Sequence, residues 1–175
     1  MSIRILRRIL SLICWAFIAL LLFIMYGLSG QSAEQSNGLS LLITSLIARI
    51  INPAFLDMTA SQQALIIQYL HPIVRKLAHF AEFALLGGLI MCAALCHMWS
   101  LSARVTVALL CSGLCAGMDE IHQLFVSGRS GQWRDVAIDF AGAILGIICI
   151  LTVRALIVSV YRSIQEKNHR ARLNR

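Results

Sequence analysis

Charged residues are scarce in this chain. Asp, Glu, Lys and Arg make up 13% of its 175 residues, whereas 59% are hydrophobic. The mean hydropathy is +0.80. A soluble domain carries about 25% charged residues, so this composition excludes an ordinary soluble domain and indicates an integral membrane protein. The length fits one compact helical domain that covers residues 1–175. The sequence contains no internal repeat and no low-complexity segment.

Cysteine is absent from the polar segments. All six cysteines lie inside apolar runs, which argues against a disulfide framework. Cys92 and Cys96 are four residues apart, as are Cys111 and Cys115, so each pair shares one helix face. We expect these side chains to serve as small, polarizable packing residues. A thiolate metal site would need several sulfurs at one depth, and this spacing does not ensure that.

Four apolar runs are long enough to be membrane spans. About 20 apolar residues cross the roughly 30 Å hydrocarbon core of a bilayer as a helix. The sequence therefore predicts an all-α, polytopic four-helix bundle. The first run could also be the apolar core of a signal peptide, but it is long for that and no clear cleavage site follows. We predict spans over about residues 9–28, 77–99, 105–118 and 136–160.

The segment between the first two spans predicts a helix that lies on the membrane. Residues 31–37 are polar and read as a loop. Apolar residues then recur at helical spacing over 39–50, with polar residues on the opposite face, which is typical of an amphipathic helix at the bilayer interface. Pro53 ends that helix. A second short helix is expected over 61–70, with Ser61 as its N-cap, and His71-Pro72 is expected to break the chain before the second span.

Basic residues are distributed unequally between the two sides of this topology. Four spans place both termini on one side, together with about ten of the fifteen Lys and Arg residues. The positive-inside rule then predicts a multi-pass protein of the cell membrane with both termini in the cytoplasm. The partners that we expect are the lipid bilayer and a charged ligand on the outer side. We expect no nucleic acid, and the oligomeric state stays open.

The predicted topology brings three polar segments to the outer end of the bundle. Lys76, His79 and Glu82 follow one another in i, i+3 steps, so neighbours lie on adjacent helix faces. Asp135 and Asp139 are four residues apart, and Gly142 and Gly146 continue their stripe, which lets another helix approach closely. The candidate site residues are Lys76, His79, Glu82, Asp119, Glu120, His122, Gln123, Arg129, Asp135 and Asp139.

Several functions stay open for this polar cluster. It is a structural ion-pair network, or it binds or modifies a charged ligand, with Arg129 as an anion clamp and a buried carboxylate as general acid or base. Metal binding is a weaker alternative. It would draw on ligand types at His79, Glu82, Asp119, Glu120 and His122, but the spacing lacks a strict signature. Proton translocation lacks a visible path through the inner halves of the spans. We therefore predict no cofactor and no metal.

The same residues resemble the VanZ-like membrane protein family. The segments that carry the resemblance are 76–83, 119–131 and 134–146, within a motif-bearing core of 75–150. The resemblance implies a small bacterial membrane protein, and the family takes its name from a protein associated with teicoplanin resistance. It implies no catalytic residue. Two positions depart from the family pattern, because Ser127 stands where Pro is frequent and Asp139 where many members have Asn.

Position and resemblance together predict an outward-facing polar site. We expect this site to bind or act on a cell-envelope component, such as a cell-wall precursor or another anionic envelope ligand, with a link to teicoplanin resistance. Whether the protein is an enzyme stays open. The alternative is a non-enzymatic structural or adaptor protein in which the charge cluster only holds the bundle together.

Overall fold

The chain forms a bundle of long helices. The computed structural model describes residues 2–30, 33–127 and 131–173, with the side chains of 33–37, 39 and 171–173 left aside. Within these residues the structure is helical and contains no strand. In chain order the helices are α1 (Ile3–Ser29), α2 (Ala33–Ile51), a short 3-10 helix (Pro53–Asp57), α3 (Ala60–Leu95), α4 (Leu101–Gln123) and α5 (Trp133–Leu173).

The predicted four-span, all-α architecture is confirmed. Helices α1, α3, α4 and α5 are each long and apolar enough to cross a membrane. Many of their large side chains point away from the bundle, including Phe23, which is 76% exposed. In a bilayer such surfaces face lipid. The third span is longer than predicted. It begins at Leu101. Ser100 is its N-cap, and the Ser100 Oγ accepts a hydrogen bond from the Ala103 amide at 3.2 Å.

The prediction of a chain break at His71-Pro72 was wrong. Residues 60–95 form one continuous helix that contains Pro72, and its N-cap is Thr59, in a capping box with Gln62, rather than Ser61. Proline removes one helical hydrogen bond and normally kinks or ends a helix. Here the helix continues through the proline, and α2 packs against α3 beside it. The Ser40 Oγ and His71 Nε2 atoms are 2.7 Å apart across this contact.

Helix α2 begins earlier than predicted and turns its small and polar face inward. Residues 33–37 are helical rather than a loop, while 31–32 lie outside the described residues. Thr44 and Ala48 are almost completely buried, whereas Leu46 and Ile50 are 49% and 80% exposed. The amphipathic helix predicted over 39–50 is therefore present, with its apolar face directed away from the bundle, as a membrane-surface helix requires.

Close contact between α3 and α5 fixes the position of the polar cluster. A Cβ atom on Gly142 would overlap the backbone carbonyl of Phe80, and one on Gly146 would overlap that of Ala84. Small residues at these positions let the two backbones approach, as predicted from the glycine spacing. Asp139 lies one turn before Gly142. The same packing therefore presses its side chain against the start of the membrane-spanning part of α3.

Helix α5 continues well beyond its predicted span. It has 41 residues, which corresponds to about 60 Å at 1.5 Å per residue and is twice the thickness of a hydrocarbon core. Residues 161–170 are exposed throughout. The residues that follow the predicted span therefore continue the same helix as far as Leu173.

Candidate functional site

A polar cavity of about 210 Å³ opens at one end of the bundle, among α3, α4 and the start of α5. It contains six of the ten predicted site residues, contributed by all three helices. Side chains of both charges surround it, so the cavity is a polar site within an otherwise apolar molecule. Its lining consists of Pro72, Arg75, Lys76, His79, Glu120, Gln123, Gln132, Asp135, Ile138 and Asp139.

An ion pair closes one side of the cavity. Lys76 Nζ lies 2.9 Å from Asp135 Oδ1, and this contact joins α3 to α5. The two side chains are 48% and 32% exposed. Water reaches both of them, so the pair contributes about 0–1 kcal/mol to stability. Arg75 lines the cavity beside Lys76 and adds a second cation.

A histidine and two carboxylates converge at the inner part of the cluster. His79 of α3, Asp119 of α4 and Asp139 of α5 each place a nitrogen or oxygen atom within 4.8 Å of the other two. Asp139 is 2% exposed. His79 Nδ1 also lies 3.7 Å from Glu82 Oε2, one turn further along α3. Three separate helices thus bring titratable groups to one point, as the topology predicted.

Hydrogen bonds orient the carboxylates of α4. Gln123 donates from Nε2 to Asp119 Oδ2 at 2.8 Å. Glu120 Oε2 accepts a hydrogen bond from the backbone N–H of Gln132 at 2.8 Å, just before α5 begins. Glu120 and Gln123 are each only 7% exposed. Buried polar groups are costly unless they are bonded, so these contacts hold α4 and the start of α5 in one arrangement.

Three described site residues do not line the cavity, namely Glu82, Asp119 and His122, although Glu82 and Asp119 lie beside His79. His122 stacks on Tyr26 of α1, with ring centroids 4.4 Å apart and the planes inclined by 28°. It does not line the cavity, so the structure does not bring it together with the other candidates. His122 instead ties α1 to α4. Arg129 lies outside the described residues.

Three contributors to this end of the bundle were missed by the sequence interpretation. Arg75 lines the cavity, Gln132 binds Glu120 through its backbone, and Tyr26 packs on His122. Helical spacing could have indicated Arg75, because it precedes His79 by four residues on the same face of α3. No sequence signal marks Gln132, since its contribution comes from its main chain.

The comparisons with known proteins agree with this architecture. The model of the family described as VanZ/LLP1 matches residues 9–156, which is most of the chain. The match reaches into all four spans and includes the whole polar cluster. No curated protein and no solved structure matches the chain.

Proposed function

This chain belongs to the VanZ/LLP1 family, and we propose that its polar cavity binds the charged head group of a cell-envelope component at the outer face of the bacterial inner membrane. One observation carries the proposal. A cavity with cations at its edge and a carboxylate that is 2% exposed at its inner part lies between three membrane-spanning helices. Ionisable groups at such positions are expensive and usually functional.

The distribution of charge supports the outward orientation. The start of α1 carries Arg4, Arg7 and Arg8 at the end of the bundle opposite the cavity, and the exposed extension of α5 adds further basic residues there. Positive charge favours the cytoplasmic side. A C-terminal green fluorescent protein fusion should therefore fluoresce, and a C-terminal alkaline phosphatase fusion should be inactive. The reverse pattern would place the cavity on the cytoplasmic side.

The size and charge of the cavity indicate the ligand class. A volume of about 210 Å³ is smaller than a typical pocket for a drug-sized molecule, which is about 300–1,000 Å³. It suits a head group rather than a whole lipid or glycan. Arg75 and Lys76 are placed to contact a phosphate or carboxylate, while the inner carboxylates suit a cationic group. A peptidoglycan precursor or its lipid-linked form offers such chemistry.

A cellular experiment tests the link to antibiotic tolerance that the resemblance implies. The chain is produced in a teicoplanin-susceptible bacterium, and the minimum inhibitory concentration is measured. We expect Glu120→Gln and Arg129→Ala to abolish any tolerance at unchanged protein levels. Arg134→Ala serves as the control, because its guanidinium lies 5.8 Å from the Trp133 ring and it does not line the cavity. The site interpretation fails if Glu120→Gln and Arg129→Ala both retain the phenotype.

Direct binding tests the proposal without reference to resistance. The full-length protein in lipid nanodiscs is titrated with a lipid-linked peptidoglycan precursor. Arg75→Ala should weaken binding by about tenfold or more, since it removes a charge-assisted hydrogen bond. Arg134→Ala should bind as the wild type does. Equal affinity in all three proteins would contradict a head-group site at this cavity.

A structural role is the second candidate function. The cluster residues bond to each other across helices, as Lys76 with Asp135 and Glu120 with Gln132 show. If holding the bundle is their only role, every cluster substitution should lower the melting temperature in detergent, and no ligand should raise it.

A further inference from the structure

We propose that His79, Asp119 and Asp139 bind one divalent transition-metal ion of the zinc or manganese class. The ligands would come from three different helices, α3, α4 and α5, and their nitrogen and oxygen atoms already lie within 4.8 Å of each other. This proposal concerns the inner part of the cavity and does not depend on the head-group ligand proposed above. The sequence analysis kept metal binding as a weaker alternative with other residues, whereas the structure groups His79 with Asp119 and Asp139.

The burial of Asp139 is the first argument for a cation. Its side chain is 2% exposed, and none of the side-chain hydrogen bonds among the described residues reaches its carboxylate. An ionised carboxylate in such a place needs a positive partner. Asp119 and Glu120 lie near enough to add negative potential. The Lys76 ammonium is already paired with Asp135, whereas one divalent ion would neutralise both Asp139 and Asp119.

The surroundings of the other two ligands are the second argument. Metal-binding side chains are usually oriented by an outer hydrogen-bond partner, and a carboxylate beside a histidine is a frequent arrangement. Gln123 holds Asp119 through a 2.8 Å hydrogen bond to Oδ2. Glu82 Oε2 lies 3.7 Å from His79 Nδ1, which is longer than a hydrogen bond, so a small rotation of either side chain would let Glu82 orient the imidazole. A carboxylate oxygen has two lone pairs, so Asp119 keeps acceptor capacity for a metal.

The geometry and the donor set point to the class of metal. Three ligand atoms at about 2.1 Å from a tetrahedral ion lie about 3.4 Å apart. Because the present separations are within 4.8 Å, they need to close by at most about 1.4 Å, which side-chain rotation can provide. Imidazole favours zinc, and carboxylate oxygens also suit manganese. His79 and Asp139 line the cavity as well. A bound ion would therefore keep a coordination position that faces the cavity.

Metal content of the purified protein tests the site. The full-length chain is purified in detergent, stripped with EDTA, equilibrated with Zn²⁺ or Mn²⁺ and freed of excess ion. Elemental analysis should then find about one ion per chain. Competition with a chromophoric chelator should show at least about tenfold weaker binding in Asp139→Asn and Asp119→Asn, with a similar loss in Glu82→Gln through its outer contact.

Matched controls separate metal binding from general damage. Asp57→Asn removes an exposed carboxylate that does not line the cavity, so it should bind metal with wild-type affinity. Helical circular dichroism and gel filtration identify variants that fail to fold. The proposal is overturned if the wild type holds no ion above background, or if Asp139→Asn and Asp119→Asn both bind as the wild type does.

The head-group experiment distinguishes this proposal from the proposed function. Precursor binding by a protein that holds no metal would overturn the metal site and leave the head-group site standing. Stoichiometric metal binding without any precursor affinity would support the metal site and overturn the head-group site.

Discussion

The two ends of the bundle differ in how they hold charge. At one end, Arg4, Arg7 and Arg8 line a mostly apolar groove of about 730 Å³ together with the residues that follow α3, and all three arginines are exposed. At the other end, charges of both signs surround a cavity of about 210 Å³, and Asp139 is 2% exposed. One end presents positive charge to its surroundings, while the other gathers opposite charges inside the protein.

This difference separates two uses of charge in a membrane protein. Exposed arginines of one sign set orientation and contact lipid head groups without demanding a fixed geometry. Buried carboxylates demand partners at defined distances, since desolvation is costly. Such partners come from α3, α4 and α5 together, so the second end depends on accurate helix packing. We therefore expect substitutions at the cavity end to act strongly and those at the basic end to act weakly.

Replacing Gly146 should have the largest effect, because it separates the helices that build the cavity. A valine at this position would push its side chain into the backbone carbonyl of Ala84, and backbone cannot move aside without parting α3 from α5. We expect Gly146→Val to destabilise the protein by about 3 kcal/mol or more. Denaturation in detergent, followed by circular dichroism, measures this.

Gly117→Val is the matched control for that substitution. Gly117 also lies in a membrane-spanning helix, but nothing stands within 4 Å of a Cβ placed on it. It should therefore unfold close to the wild type. Similar losses in both variants would mean that close helix contact does not determine the cavity end.

Loss of the His122 ring should have an intermediate effect. His122→Ala removes the stacking contact with Tyr26 at 4.4 Å, and we expect a loss of about 0.5–1.5 kcal/mol beyond the lost buried area. His122→Phe keeps a ring and should recover most of the stability. Thermal unfolding of His122→Ala and His122→Phe measures the contact.

Arg8→Ala, at the basic end, should change stability by less than about 0.5 kcal/mol. A larger loss there would contradict the comparison between the two ends.

The sequence predicted the spans from the length of the apolar runs. It predicted that three polar segments meet because successive spans cross the membrane in opposite directions. It did not predict that α3 continues through Pro72. There α2 packs on α3 through contacts that include Ser40–His71, and no local pattern encodes that packing. The sequence interpretation also placed His122 in the polar cluster, whereas in the structure His122 stacks on Tyr26. Helical spacing gives the face of α4 on which His122 lies, but it does not give the side on which α1 packs.

Within the cavity end, the smallest effect is expected for the ion pair at the cavity edge, although its two charged atoms lie close together. Lys76 and Asp135 are 2.9 Å apart, but water reaches both side chains. A double-mutant cycle with Lys76→Ala and Asp135→Ala, followed by unfolding in detergent, should give a coupling energy of about 0.2–1 kcal/mol, and high salt should reduce it. A coupling of about 3 kcal/mol, unaffected by salt, would show that this pair behaves as a buried one. The dry region would then extend from Asp139 to the edge of the cavity, and the contrast between the two ends would become sharper than the exposed fractions indicate.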